Sequence, residues 1–230
     1  MATDQMIDYD ELVLILAGGR FSITTSADQV QIINEGLRYF YAAYDWSFMY
    51  TTTTLAVTQG DADTDLPDDF SQLTDPFSHE PDEYRGSPTQ VESHTIRELR
   101  SANDYTNAPT YFAIAMDDFV AATGSRWKVM WYPRPEEDYT MYYRYRATPS
   151  IPTAGEMMRG DPRFSLAAMY CVYAAAASYA KDTRSYYADE RDKLLAEAIN
   201  QDKARFVGTY ITNLAAPQQH EEIIHSTWTE

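Results

Sequence analysis

The chain has 230 residues and a formal net charge of −17, long enough for one large domain or two small ones with a sizeable core. The acidic balance argues against a sheath-like grip on duplex DNA, which needs clustered Lys and Arg to displace counterions, while it suits solubility or a channel wall past which DNA slides. A single cysteine, Cys171, excludes an internal disulfide and a cysteine metal cluster, and fits a reducing cytoplasm.

The N-terminus has no basic stretch ahead of an apolar core, so no secretory signal is expected. Asp8 to Leu16 reads as a short helix, apolar on one side, stopped by Gly18-Gly19. Ser26 or Thr25 caps the next helix, which is expected to run to about Tyr44 with Val30, Ile33, Leu37, Tyr41 and Tyr44 on one stripe. Tyr39, Phe40, Tyr41, Tyr44 and Trp46 crowd its end. They suit a partner-binding patch or a core, and the core is preferred because aromatics at helical spacing usually pack inside.

Trp46 to Val57, with its threonine run, predicts a strand. From Asp61 to Glu83 the chain is acidic, without Lys or Arg before Arg85, and Pro67, Pro76, Pro81 and Pro88 punctuate the region. This predicts a loop-rich, partly mobile stretch. Asp61-Ala-Asp63-Thr-Asp65 opens like a calcium-binding loop, but Leu66 replaces the glycine and Gln72 the closing glutamate, so a solvated acidic loop is preferred.

Ser93 to Ala102 reads as a short helix with Arg97 and Glu98 facing water, and Tyr111 to Met116 as a strand. Gly124-Ser125 is a turn into Trp127-Lys-Val-Met-Trp-Tyr132. Pro133-Arg-Pro-Glu-Glu-Asp138 then leads to Tyr139-Thr-Met-Tyr-Tyr-Arg-Tyr-Arg146. Both runs alternate with period 2. Trp127, Val129 and Trp131 share one face; Tyr139, Met141, Tyr143 and Tyr145 share another. Alternation around a polar, proline-bearing break predicts a hairpin inside a β-sandwich or small curled sheet.

Asp161 is a good N-cap and Pro162 fits the first helical position. The helix that follows carries Leu166, Ala167, Met169, Tyr170, Tyr173, Ala174, Ala177 and Ala180. It is apolar nearly all round and should be buried on several sides, but it is flanked and composed as a soluble helix rather than a membrane span. Lys181 to Arg184 connects it to a second helix from about Ser185 to Val207, ending at Gly208, with Leu195, Ile199 and Phe206 inward and Asp189 and Lys193 able to pair outside. The short loop makes the two antiparallel neighbours.

The expected fold class is α+β: a helical bundle, made from the N-terminal helix and the C-terminal antiparallel pair, with an inserted sandwich-like β-rich unit and an extended C-terminal tail. The divisions fall at 1–45 for the N-terminal helices, 46–150 for the β-rich unit with its acidic loop, 151–210 for the C-terminal pair and 211–230 for the tail. The tail is polar and aperiodic, yet it holds Ile223, Ile224 and Trp228, which are costly to leave in water. These three are the candidate partner-docking residues, against the alternative of a floppy terminus.

Enzyme chemistry finds little support. The histidines are His79, His94, His220 and His225. His220-Glu-Glu-Ile-Ile-His225 nearly copies the zinc-protease helix motif, but its histidines are five apart, which turns them roughly 140° away from each other on a helix. No phosphate loop, dinucleotide fingerprint or nucleophile elbow occurs. Cys171 lies among alanines and reads as a small core residue, and Arg159-Gly-Asp161 as a chance match to an adhesion tripeptide. No catalytic residue, cofactor or metal is expected. The abundant Trp and Tyr leave a carbohydrate- or ligand-binding β-sandwich module, through Trp127, Trp131 and the tyrosines, as the alternative.

The order strand, Pro-x-Pro, Tyr-rich strand, Arg144-Tyr-Arg-Ala-Thr-Pro149, Ala-rich helix and acidic helix resembles the head–tail adaptor (head-completion or connector) proteins of tailed bacteriophages. Leu66-Pro-Asp-Asp-Phe70 and Pro109-Thr-Tyr111 are similar to steps found in that family, and the likeness spans roughly Leu66 to Lys203. The resemblance implies a structural virion protein of the neck, assembled in the host cytoplasm. Its copies, about twelve, would form a cyclic homo-oligomer. Its partners would be the portal protein and tail or nozzle proteins, with the genomic DNA passing through the channel without sequence-specific binding. It also implies a C-terminal tail that reaches onto the portal.

Overall fold

The computed structural model describes residues 6–18, 21–79, 86–120, 124–182 and 186–214, with side chains undescribed at 120 and 206–214. Among them are five α-helices and seven strands in two sheets.

Helix α1 spans Tyr9–Ala17 and starts where the Asp8 carboxylate accepts from the Glu11 N–H at 2.7 Å. It stops at Gly18, whose N–H donates to the Leu14 carbonyl. Helix α2 spans Ser26–Ala42. Its buried stripe is Ile32, Ile33, Gly36, Leu37, Phe40 and Tyr41, whereas Val30 is exposed. Ile33, Leu37 and Tyr41 of the expected stripe are buried and Tyr44 is half-buried; Ile32, Gly36 and Phe40 turn the inner face by about 50° from the one expected, which leaves Val30 outside. Thr25 holds the N-cap position without a side-chain cap bond.

After a 3-10 turn at Ser47–Met49 the chain enters β1, Tyr50–Val57. Strands β2 (Asp63–Asp65), β3 (Phe70–Ser78) and β4 (Thr89–Gln90) follow, then α3 (Ser93–Ala102), β5 (Tyr111–Val120), β6 (Gly124–Tyr132) and β7 (Tyr139–Ala147). One sheet has the order β1-β7-β3 and the other β2-β6-β5-β4, antiparallel except for the β4–β5 pair.

Two expectations are overturned here. β6 and β7 do not form a hairpin. β6 pairs with β5 and β2, β7 pairs with β1 and β3, and the segment from Pro133 to Asp138 crosses from one sheet to the other. Alternation dictates which side chains face inward, and both runs do face inward. Val129, Trp131, Tyr139, Met141, Tyr143 and Tyr145 share one apolar cluster with Leu55, Phe70, Phe77 and Phe112, and Trp127 packs against it. It does not dictate which strand lies alongside.

The acidic stretch, in turn, contains β3. Only Phe70 and Phe77 of its nine residues are buried, and its register against β7 shifts three times. An irregular edge strand of this kind carries little alternation.

The other face of the β5–β6 pair is covered by α3, through Ile96 against Ala113, Met130 and Tyr132. Arg97 and Glu98 are exposed as expected. Gly124 begins β6 rather than forming a separate turn.

The Asp161 carboxylate caps a 3-10 turn at Pro162–Phe164 by accepting from the Arg163 N–H, and α4 follows over Ser165–Tyr179. Eight of its residues are buried, six of them alanine. Helix α4 packs on α2 and on α5, which spans Tyr186–Leu214. Helix α5 therefore continues through Gly208, where an end was expected. A lone glycine costs about 1 kcal/mol in a helix interior and does not by itself stop one. Leu195 and Ala198 of α5 are buried and Ile199 is half-buried, while the Phe206 side chain lies outside the described residues. Lys193 pairs with Glu190 at 3.7 Å rather than with Asp189.

The helices α1, α2, α4 and α5 thus enclose one apolar cluster, centred on Ile32, Ile33, Leu37, Phe40, Trp46 and Phe164. The strands enclose a second, separate one.

Candidate assembly surfaces

The three predicted docking residues, Ile223, Ile224 and Trp228, lie outside the described residues, as do His220 and His225. Surface chemistry within the described residues comes from three places that sequence spacing did not single out.

The first is an aromatic patch beside the α4–α5 connection. Phe21 meets Tyr173 and Tyr187 with ring centroids 6.0 and 5.3 Å apart, Tyr173 meets Tyr170 at 5.4 Å, and Tyr187 meets Tyr186 at 5.3 Å. Tyr186 is 54% exposed, so the patch is open to water. Four of these rings come from tyrosines three or four residues apart on α4 and adjacent on α5. That spacing is the signal by which the patch could have been found.

The second is the far end of the β5–β6 ribbon. Met116 and Phe119 are 57% and 68% exposed there. These two leave large apolar side chains facing water at this end of the ribbon.

The third is the border between helices and strands, where polar groups concentrate. The Asp45 carboxylate accepts from Arg146 Nε at 2.6 Å and from the Tyr50 hydroxyl. Burial pushes the Asp45 carboxyl up, but the bonds from Tyr50 and Arg146 outweigh it and hold it below the usual range. Asp202, wholly buried on α5, accepts from the Ser47 N–H at 2.8 Å and from its hydroxyl at 2.5 Å. Arg159 donates to Asp69 Oδ2 at 3.0 Å and to the Thr51 hydroxyl at 2.5 Å. The Arg-Gly-Asp tripeptide is therefore structural: Arg159 joins the strands, and Asp161 caps its turn and pairs with Arg205.

Other candidate sites resolve into packing. Asp63, from the calcium-like run, lies between Arg100 at 3.0 Å and Lys128 at 3.4 Å. The Asp117 carboxylate, bonded to Lys128, chiefly holds that ammonium above its ordinary value. Among the described residues no group of three or more His, Cys, Asp or Glu side chains is placed to hold a metal ion. Cys171 is buried, and burial pushes its thiol up to about 12, which keeps it protonated and a poor nucleophile. Burial likewise raises Tyr41, Tyr143 and Tyr145, the last also through its bond to Asp69. No helix among the described residues is long and apolar enough to cross a membrane.

Of the residues on which sugar recognition would rest, Trp127, Trp131 and the tyrosines, Trp127 is half-buried and Tyr105, Tyr111 and Tyr142 are exposed, whereas Trp131, Tyr139, Tyr143 and Tyr145 are buried. The rings of these last four pack in the inter-sheet cluster.

A model of the family described as SU10 adaptor protein matches residues 7–213. No curated protein matches the chain.

Proposed function

The chain belongs to the SU10 adaptor protein family, and from that premise we propose that it is a structural virion protein of a tailed bacteriophage: a ring-forming head–tail adaptor that joins the portal to the tail around the DNA channel. The observation that carries this is the extent of the family match, which takes in both the helices and the strands.

In this reading about twelve copies stand around an axis, each presenting one surface to the neighbour on its left and a different one to the neighbour on its right. The helical bundle lies at 1–45 and 151–210. It supplies the ring contacts, and the inserted sandwich-like β-unit at 46–150 faces outward or toward the tail. The exposed aromatic patch and the Met116–Phe119 ribbon end are two such distinct surfaces. The tail beyond the bundle, through Ile223, Ile224 and Trp228, clamps the portal. The net charge of −17 keeps passing DNA from adhering. The protein is a building block, without cofactor or catalytic step, and resides at the neck of the virion after assembly in the host cytoplasm.

Electron microscopy of the purified protein mixed with its cognate portal tests the proposal. A ring layer on the portal is expected. A chain that stays monomeric and never stacks on the portal, while titrating a glycan to saturation, would return the function to a binding module.

A further inference from the structure

We propose that the β-rich unit is mounted on the helices by a polar hinge, and that the Arg159 guanidinium is the latch that holds it in one orientation.

The apolar core is the first reason. The helices and the strands bury their side chains in separate clusters, one around Phe40, Trp46 and Phe164 and the other around Phe77, Trp131 and Met141. Among the described residues, α3 is the only helix that packs broadly on a strand, and it belongs to the β-unit. Apolar packing therefore does little to set how one unit sits on the other. Such interfaces within a chain are those at which relative motion is the default.

Polar bonds supply what packing does not. The chain crosses between the units twice, near Asp45–Tyr50 and again between Ala147 and Asp161. Asp45–Arg146 ties the first crossing. Arg159 ties the second. It donates through Nη1 to Asp69 of the β2–β3 connection and through Nη2 to Thr51 of β1, and Nε points to the Phe48 carbonyl at 3.4 Å. Its own carbonyl accepts from the Tyr41 hydroxyl of α2 at 2.9 Å. One residue thus holds α2 by its backbone and the β-unit by its side chain. Asp69 is fixed in turn by the Tyr145 hydroxyl at 2.8 Å, so the latch closes on a positioned carboxylate.

Space is the third reason. A groove of about 670 Å³ opens between Asp68–Ser71 with Trp127 on the β-unit and Thr148–Ile151 on the connector. A second, of about 280 Å³, lies between Tyr44–Asp45 and Tyr50, Thr74 and Arg144. Both border the joint and leave room for the β-unit to tilt. Rotation would break a few hydrogen bonds and expose little apolar core. The hinge belongs to the single chain and stands whether or not the chain assembles into a ring.

The test uses the full chain with spin labels at exposed positions, Thr54→Cys on β1 and Asn200→Cys on α5 across the joint, and Thr54→Cys with Glu98→Cys on α3 inside the β-unit. Pulsed dipolar spectroscopy reads both distances. The expected result is one narrow distribution for each pair in the parent chain. Arg159→Ala should broaden and shift only the pair across the joint. Asp69→Asn keeps the side chain's size and should do the same in weaker form, which covers the case in which Arg159→Ala does not fold. An across-joint distribution as narrow as the parent's in both variants would overturn the hinge. Equal broadening of both pairs would overturn it as well, since Arg159 would then be holding the β-unit's own fold.

Discussion

Gly36 of α2 and Val172 of α4 meet backbone to backbone: a Cβ on Gly36 would stand 2.6 Å from the Val172 Cα and 2.7 Å from its nitrogen. Neither atom can swing aside as a flexible side chain would. The alanine-rich face of α4 allows this approach, and Gly36 completes it.

Gly36→Ala is therefore expected to destabilise, although alanine is the better helix former by about 1 kcal/mol. Overpacking against rigid backbone should outweigh that gain and leave a net loss of about 1–3 kcal/mol. Denaturant unfolding measures it as a lowered midpoint with unchanged slope. A midpoint equal to the parent's would mean that the helices move apart at no cost.

Asp202→Ala should be among the more damaging polar substitutions. The buried carboxylate satisfies both the N–H and the hydroxyl of Ser47, so its loss strands two donors. Such a loss costs about 2–4 kcal/mol. Asp202→Asn retains one acceptor and should lose less. In a double-mutant cycle, Ser47→Ala should be less damaging in the Asp202→Ala background than in the parent. Strict additivity would show that the two residues act independently.

The Asp45 carboxyl titrates below its ordinary value of 3.8 in the folded chain. A depressed carboxylate contributes stability in full above its unfolded value and loses it as the pH falls through the folded one. The parent should thus exceed Asp45→Asn by a constant margin from about pH 5 upward, and the margin should close below pH 3.8. Because Asp45 and Arg146 are partly exposed, the plateau should be no more than about 1 kcal/mol. Chemical denaturation of both proteins at several pH values reads it; a margin that grows on acidification would contradict the assignment.

Cys171 should resist disulfide-exchange thiol reagents in the native chain and react fully once unfolded. Its thiol is both buried and held protonated. Its reaction rate then reports opening of the α2–α4 seam, and it should rise in Gly36→Ala. Fast labelling of the folded parent would place Cys171 at an accessible surface.

Removal of residues 215–230 should leave the unfolding midpoint unchanged and abolish attachment to the portal, assayed by co-sedimentation. The cut removes none of the described residues of α5, Tyr186–Leu214. Attachment that survives the deletion would transfer the portal contact to another surface.

The sequence by itself determined the ends of α1, the turn that opens α4 and the inward faces of β6 and β7. Asp8 and Gly18 bound α1, Asp161 and Pro162 open the turn before α4, and the period-2 runs at 127–132 and 139–146 place their aromatics inward. These are local effects. Capping bonds, φ restriction and side-chain alternation act within a few residues of the chain, so they can be read from spacing alone.

The tertiary structure decided which strands pair, how far α5 continues, and which polar residues join the two units. β6 and β7 are adjacent in sequence but lie in different sheets, because each finds its hydrogen-bonding partners in strands that the chain brings in from elsewhere. Thr51 and Asp69 lie 108 and 90 residues from Arg159, and Ser47 lies 155 from Asp202. Contacts of such separation depend on how the two cores bring distant segments together, and no local pattern records them.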